Sequence, residues 1–103
     1  MIRRLIIAGA LLLSAPIWAS DVEVVLRDKQ FSPQEIVIDR GTVVRFSNQD
    51  SMSHNVVSHE ADKSFDLQLQ KPGEVREMAF AKPGHYAVGC DLHPRMSLDV
   101  TVK

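Results

Sequence analysis

Hydrophobic and polar residues alternate along most of the chain after Ser20, in short runs rich in β-branched side chains. A period of two places successive side chains on opposite faces of a strand, so these runs predict half-buried β-strands. About eight strands are predicted: Val22–Leu26, Glu35–Ile38, Thr42–Ser47, Asn55–Ser58, Phe65–Gln70, Val75–Phe80, His85–Gly89 and Leu98–Val102. The pattern contains no amphipathic helix of useful length.

Turn-forming residues separate these runs, at 32–33, 40–41, 71–73 and 82–84. Many short strands at this spacing are typical of an antiparallel β-sandwich, whose inward side chains alternate with solvated ones. The fold class is therefore predicted to be all-β. The predicted core consists of Val24, Leu26, Phe31, Ile36, Ile38, Val44, Phe46, Phe80, Tyr86, Val88, Leu98, Val100 and Val102.

The N-terminal segment differs in character from the rest of the chain. Two arginines, Arg3 and Arg4, precede an apolar run from Leu5 to Leu13 that is too short to span a bilayer, and Ala19 is a small residue suited to signal-peptidase cleavage. We predict a signal peptide at 1–19 and export to the periplasm. Because Ile17 is not small, an uncleaved membrane anchor is the alternative.

Residues 20–103 are long enough for one small domain with a single core, and not for two. Removing Arg3 and Arg4 from the 12 basic residues leaves 10 against 13 acidic residues, a net charge of −3. No basic cluster or aromatic stacking set accompanies this mildly acidic balance, which argues against nucleic acid as a partner.

The chain has a single cysteine, Cys90. A small exported domain commonly relies on disulfides, but one cysteine cannot form an intramolecular bridge. A free thiol in an oxidising compartment is prone to oxidation, and metal ligation would protect it.

Sulfur and imidazole donors are grouped in two segments of the chain. Cys90, His93 and Met96 lie in one predicted loop, and His54 lies upstream, just before a predicted strand. Two imidazoles, a thiolate and a thioether are the ligand set of mononuclear blue-copper sites, with a trigonal N₂S plane and a weak axial thioether. The soft sulfur ligands hold Cu(I) and the imidazoles serve both oxidation states, so the set favours one copper ion per chain and fast electron transfer.

Two other chemistries use some of the same residue types. Zinc also binds cysteine and histidine, and Asp91 offers a fourth ligand, but structural zinc sites rarely include methionine. A nucleophilic Cys–His pair would need an oxyanion hole, an orienting group and a substrate cleft, for which so short a chain shows no signal. We therefore predict that the protein is not an enzyme.

The spacing Cys90-x2-His93-x2-Met96, the pair His54-Asn55 and the spacing Tyr86-x3-Cys90 resemble the cupredoxins, a family of copper-carrying β-sandwiches that includes plastocyanin, pseudoazurin and amicyanin. The short interval from His93 to Met96 is closest to amicyanin. The resemblance covers the whole of 20–103 and implies a Greek-key sandwich. It also implies that His54, Cys90 and His93 form the copper plane, that Met96 is the axial ligand, and that Asn55 ties the two ligand segments together by hydrogen bonding.

The complete ligand set and the lack of any substrate-pocket signal predict a soluble carrier of one electron at a time between a donor and an acceptor redox protein. We expect a monomer with no membrane contact after leader removal. The alternative is a copper-binding protein for copper trafficking or tolerance, with a copper donor or acceptor as its partner. Arg95 places a charge beside His93, where electron-carrying members usually show an apolar patch. A charge there favours an acidic partner and an association rate that falls with salt.

Three more side chains have metal-binding chemistry. His59, together with Glu60 and Asp62, is either a second, weaker metal site or a solvated loop histidine. Met52, close to His54 in sequence, is either an alternative thioether or part of the rim of the site. His85 is predicted to face solvent.

Overall fold

The structure, a computed structural model, describes residues 21–103. These residues form nine strands and no helix, so the predicted all-β sandwich is confirmed. The strands are β1 Val22–Arg27, β2 Gln30–Ser32, β3 Glu35–Ile38, β4 Thr42–Asn48, β5 Val57–Ser58, β6 Phe65–Asp66, β7 Val75–Phe80, β8 Gly84–Cys90 and β9 His93–Val102. The predicted leader at 1–19 lies outside the described residues. Within 21–103, no helix has the length and apolar character needed to cross a membrane.

The strands form two sheets, with the orders β2-β1-β4-β7 and β3-β9-β8-β5-β6. Each sheet contains one parallel pair, β1 with β4 and β3 with β9, and all other pairs are antiparallel. The sheets are therefore mixed, because β3 belongs to the opposite sheet and the chain returns from it to place β4 beside β1. A parallel pair needs such a crossover, whereas a hairpin produces an antiparallel pair.

Alternation along each strand explains which side chains enter the core. In β9, for example, Met96, Leu98, Val100 and Val102 are buried and the residues between them are more exposed. All thirteen predicted core residues are buried, and Val56, Val57, Cys90 and Met96 join them. The core therefore fills the space between the sheets and continues to the end of the sandwich that carries Cys90.

β2 is the one strand that was not predicted. It has only three residues, of which only Phe31 is buried, so it is too short to show alternation. Two strands are shorter than predicted: Asn55–Ser58 is reduced to β5, and Phe65–Gln70 is reduced to β6. The backbone around them bonds elsewhere: Leu67 N–H donates to the Val56 carbonyl at 3.0 Å, and Gln68 has a positive φ of 70°.

The segment from Cys90 to Met96 was predicted to be a loop, and this prediction is wrong for most of it, since only Asp91 and Leu92 lie outside strands. Cys90 pairs with His93 while Gly89 pairs with Ser97, so three residues of β9 bulge out of the ladder. A bulge re-aims side chains, and this one turns Met96 into the core. Gly89 fits closely here: a Cβ at this position would lie 3.3 Å from the Met96 carbonyl oxygen, so a larger residue would require the hairpin backbone to shift slightly.

Candidate metal centre

His54 is held by the backbone at the end of the sandwich. Its N–H donates to the Gln70 carbonyl at 3.1 Å, and the Gln70 N–H donates to the His54 carbonyl at 2.7 Å. This isolated bridge fixes the imidazole, which is fully buried, at one point between the two sheets. The sequence predicted strand character just after His54 but not the pairing with Gln70.

Buried polar side chains support the segment that leads to His54. The Asn48 amide donates to the carbonyls of Met52 at 3.0 Å and Gln70 at 2.9 Å, and its oxygen accepts the Asp50 N–H at 2.9 Å. The Gln70 amide donates to two further carbonyls, of Phe46 and Glu74, both at 2.7 Å. Neither role was predicted from the sequence; the only signal was an asparagine immediately after a predicted strand.

Three donor atoms converge beside this support. His54 Nδ1 lies 3.1 Å from His93 Nδ1, and Cys90 Sγ lies 3.8 Å from each of them. Within residues 21–103, these three form the one group of three or more His, Cys, Asp or Glu side chains close enough to share an ion. A point about 2.1 Å from all three atoms lies inside the triangle, which matches metal bonds to imidazole and thiolate of about 2.0–2.3 Å. The donor set therefore fits one ion in a trigonal N₂S plane.

Met96 lies at the same end of the sandwich, within the bulge of β9. Its side chain is 2% exposed, and it lines a surface cleft together with Cys90. A thioether next to a trigonal N₂S plane is the arrangement of a blue-copper site with a weak axial ligand. The structure thus brings all four predicted site residues to one place.

Asp50 makes a contact to the cluster that sequence analysis did not predict. Its Oδ2 lies 2.8 Å from His54 Nε2 and also accepts the Lys29 N–H at 2.9 Å. The hydrogen bond with His54, followed by that from Lys29, lowers the pKa of Asp50 from 3.8 to about 2. An ionised carboxylate at Nε2 keeps the proton on that nitrogen and leaves Nδ1 free for a metal. The contact was not predictable from the sequence, because a spacing of four residues brings side chains together on a helix and this segment is a loop.

Asn55 connects the two ligand segments. Its backbone N–H donates to Cys90 Sγ at 3.4 Å, its side-chain oxygen accepts the Asp91 N–H at 2.8 Å, and its amide donates to Asp91 Oδ2 at 3.3 Å. Hydrogen bonds of this kind hold a thiolate in place and reduce the charge on sulfur.

A family profile described as a cupredoxin-like domain matches residues 5–102, nearly the whole chain. The chain belongs to the cupredoxin-like family. The resemblance predicted from the sequence is therefore confirmed. The family and the donor set together identify copper as the cofactor of this cupredoxin, with His54, Cys90, His93 and Met96 arranged as a single copper site.

Known proteins resemble this cupredoxin in sequence and in fold. A methylamine utilization protein, MauL of Methylorubrum extorquens, is 28% identical over 100% of this chain and 96% of its own length. A purple cupredoxin from Nitrosopumilus maritimus is 26% identical with a TM-score of 0.71, covering 80% of this chain and 99% of that one. The Cu(I) form of an amicyanin variant is 21% identical with a TM-score of 0.74, covering 80% and 81%, and shows the shared fold.

His59 is an exposed loop histidine, the second of the two alternatives predicted for it, and it hydrogen-bonds to Asp91. His59 Nε2 lies 2.8 Å from Asp91 Oδ1, and both side chains are well exposed. This hydrogen bond raises the pKa of His59 above 6.5 and lowers that of Asp91 below 3.8. The Asp91 carboxylate therefore bonds to His59 and Asn55, so the zinc-type role considered for it has no support in this cupredoxin. Of the proposed partners of His59, the Glu60 carboxylate accepts the Ala87 N–H at 3.2 Å.

Met52 and His85 are placed outside the donor cluster. Met52 is half-buried, and its carbonyl accepts a hydrogen bond from Asn48, which makes it part of the loop that leads to His54. His85 faces solvent as predicted, with Nε2 3.4 Å from Asp99 Oδ1.

Proposed function

We propose that this protein is a periplasmic one-electron carrier in which His54, Cys90 and His93 bind copper in a plane and Met96 contacts it axially. The observation that carries the proposal is the triangle of donor atoms, with edges of 3.1, 3.8 and 3.8 Å, at one end of a rigid sandwich. The bound copper supplies the Cu(II)/Cu(I) couple.

The protein's own contribution is to hold the ligands and to leave one of them accessible. His54 is fully buried and Cys90 is 5% exposed, whereas His93 is half-buried at the surface. Buried backbone and side-chain hydrogen bonds fix His54 and Cys90, so little movement is needed when the charge of the site changes. The edge of His93 is the natural route for an electron to or from a partner protein.

The proposed location in the periplasm depends on the N-terminal segment. Residues 1–19 have the composition of a signal peptide, and residues 20–103 then form the mature cupredoxin domain. The partners are a donor and an acceptor redox protein in the periplasm, and the mature protein acts as a monomer without membrane attachment.

The test is an optical and paramagnetic resonance spectrum of the mature protein with one equivalent of Cu(II). An intense thiolate-to-copper band with narrow copper hyperfine splitting is the expected result, because Cys90 is close enough to share the ion with both imidazoles. A pale, ordinary Cu(II) spectrum would contradict the proposed ligand plane.

Electron carriage itself is tested by kinetics. A carrier keeps its copper through repeated redox cycles in the presence of a strong chelator and shows a rapid electron self-exchange. Loss of copper to the chelator within minutes, together with slow self-exchange, would instead favour the trafficking or tolerance role.

The axial contact gives a separate prediction. Met96→Leu removes the thioether but keeps a similar apolar volume in the core, so the variant should fold and bind copper. Its reduction potential should rise, because the loss of an axial electron donor disfavours Cu(II), the more highly charged state, more than it disfavours Cu(I). The measurement is a voltammetric potential beside that of Leu98→Met, a core change that leaves the four donors in place; equal potentials in Met96→Leu and the unaltered protein would remove Met96 from the ligand set.

A further inference from the structure

A cleft borders the accessible copper ligand. It has a volume of about 490 Å³ and is formed by the β1–β2 turn with the chain that follows it, and by the start of β9. We call it the His93 cleft; its lining residues are Asp28, Lys29, Gln30, Gln34, His93, Pro94 and Arg95. Because Nδ1 of His93 points to the donor cluster, the remainder of the ring forms part of the cleft wall.

The charges around the cleft are unbalanced in favour of cations. Lys29 and Arg95 are exposed, and neither forms an ion pair within residues 21–103. Arg27, at the base of the same turn, hydrogen-bonds to the neutral Gln49 side chain and so keeps its charge. Asp28 is the one acidic residue of the lining. The lining itself has two cations, Lys29 and Arg95, against one anion, so the cleft is net positive on a domain whose residues 20–103 carry a net charge of −3.

Asp50, which accepts a hydrogen bond from the Lys29 backbone, does not cancel these charges. Asp50 is 9% exposed, and its Oδ2 is occupied by the Lys29 N–H and by His54 Nε2. Its negative charge is therefore directed at the copper ligand. The side-chain amides of Gln30 and Gln34, which make no hydrogen bond in the described part of the chain, add N–H donors to the cleft.

We propose that the His93 cleft is the docking site for an acidic segment of the redox partner, which presents Asp or Glu carboxylates to Lys29 and Arg95. This inference rests on the proposed electron-carrier function and names the chemistry of the partner. Guanidinium groups bind carboxylates in bidentate geometry, and opposite charges at the rim of an interface accelerate encounter. Docking here brings the partner to the ring of His93, the half-buried ligand that lines the cleft.

The cleft suits a protein segment better than a small free anion. Both cations are exposed and hydrated, and a single exposed ion pair contributes little affinity. A partner segment gains several such contacts at once, together with the surface that it covers around Pro94. The long-range attraction then appears mainly in the association rate and falls as salt is added.

The binding test uses the copper(I) protein, which is diamagnetic, and a hexaglutamate peptide, followed by ¹⁵N nuclear magnetic resonance at low ionic strength. The expected shift changes are centred on Lys29, Gln30 and Arg95, are reversed by salt, and are absent with hexalysine. Shifts centred elsewhere, or none, would overturn the proposal. Equal shifts with inorganic phosphate at the same ionic strength would also overturn it, in favour of a site for free anions.

Matched variants locate the effect. Lys29→Gln and Arg95→Gln should each weaken hexaglutamate binding several-fold. Lys103→Gln removes the same charge just beyond the opposite end of β9 and should leave binding unchanged. An equal loss in all three variants would mean that net charge, and not the His93 cleft, controls binding.

Electron transfer provides the second readout. Hexacyanoferrate(III), a trianion, takes one electron from the Cu(I) protein, and tris(phenanthroline)cobalt(III), a trication, serves as the opposite-charge oxidant. Lys29→Gln and Arg95→Gln should slow the first reaction several-fold at low salt without slowing the second. Equal slowing with both oxidants would overturn the docking proposal. A copper centre that reacts with neither oxidant would refute the electron-carrier function, while the peptide titration would still decide whether the cleft binds acidic segments.

Discussion

At the scale of single residues, Asp50 links a surface turn to the copper site. One of its carboxylate oxygens accepts hydrogen bonds from the Lys29 backbone and from the His54 ring, at 2.9 and 2.8 Å. Lys29 has a φ of 58°, a conformation that side chains other than glycine adopt at a cost, so the turn directs its N–H at a particular place. The backbone of this strained turn thereby helps to orient a metal ligand.

We expect Asp50→Asn to weaken copper binding. Asparagine retains a hydrogen-bond acceptor but loses the negative charge that makes His54 Nδ1 a stronger donor, and changes of this kind reduce metal affinity by about tenfold or more. The measurement is competition with a chelator for Cu(II). Asp28→Asn, which removes a carboxylate from the neighbouring turn without touching His54, is the control; equal affinities in both variants would count against a role for Asp50.

The pKa of Asp50 also sets the pH range over which its carboxylate stabilises the native state. Because folding lowers this pKa from 3.8 to about 2, the group stabilises the native state above pH 3.8 and this contribution is lost as the pH falls through about 2. The carboxylate beside His54 is therefore ionised throughout the neutral and mildly acidic range.

The exposed pair of His59 and Asp91 gives a prediction with its own pH window. The pKa of His59 is raised above 6.5, so its contribution to stability is complete below 6.5 and is lost as the pH rises through the folded value. The pKa of Asp91 is lowered from 3.8, so its contribution is lost as the pH falls through its folded value. In a resonance titration, Asp91→Asn should return the pKa of His59 towards 6.5, whereas Asp99→Asn should not change it. An unaltered His59 titration in Asp91→Asn would show that the hydrogen bond is absent in solution.

At the scale of secondary-structure elements, two connections build the site. The β8–β9 hairpin supplies Cys90, His93 and Met96, and its bulge decides where Met96 points. The connection from β4 to His54 has little regular structure and is instead held by Asn48, which is fully buried. The Asn48 side chain hydrogen-bonds to two backbone groups of the connection, the Asp50 N–H and the Met52 carbonyl, and also to the Gln70 carbonyl.

We predict that Asn48→Ala destabilises the copper-free protein by about 2–3 kcal/mol, because the Met52 carbonyl and the Asp50 N–H lose their Asn48 partner. The Gln70 carbonyl would keep only its bond from the His54 N–H. Copper affinity should fall as well, since the loop that carries Asp50 and leads to His54 loses its support. Chemical denaturation and chelator competition measure the two effects. Gln49→Ala, at the exposed neighbouring position, is expected to change stability by less than about 0.5 kcal/mol, and a similar small change in Asn48→Ala would be inconsistent with a supporting role.

At the scale of the whole molecule, the core and the copper site are distinct but adjacent. Most of the buried apolar residues lie between the two sheets, and only Cys90 and Met96 belong to both the core and the site. The sandwich therefore has an apolar core of its own when copper is absent.

Cys90→Ser tests this separation. The variant should retain the sandwich fold, while the intense visible band disappears and copper affinity drops sharply, because the only thiolate is gone. Copper should raise the melting temperature of the unaltered protein, since a ligand that binds the native state stabilises it, and this increase should vanish in Cys90→Ser. Circular dichroism with and without copper measures the fold and the melting temperature. A copper-dependent increase in melting temperature that persists in the variant would contradict the role of Cys90.

Much of the fold was predictable because alternation is a local property. The period-two pattern placed β3 and β7 at their observed bounds and identified thirteen core residues, all of which are buried. It missed β2, which is too short to show a period, and it extended β5 and β6 into segments whose backbone bonds elsewhere. It also did not indicate that β1 pairs with β4 in parallel, because pairing depends on the path of the chain between the sheets.

The sequence by itself determined the donor types: one cysteine, the histidines and methionine around it, and the spacing of three of them on one segment. Only the tertiary structure decided that His54 meets this segment, that a bulge turns Met96 inward, and that Asn48, Asp50 and Gln70 support the site. The reason is physical. Side-chain chemistry and periodicity are written locally, whereas convergence of donors and satisfaction of buried polar groups depend on contacts between residues far apart in the chain.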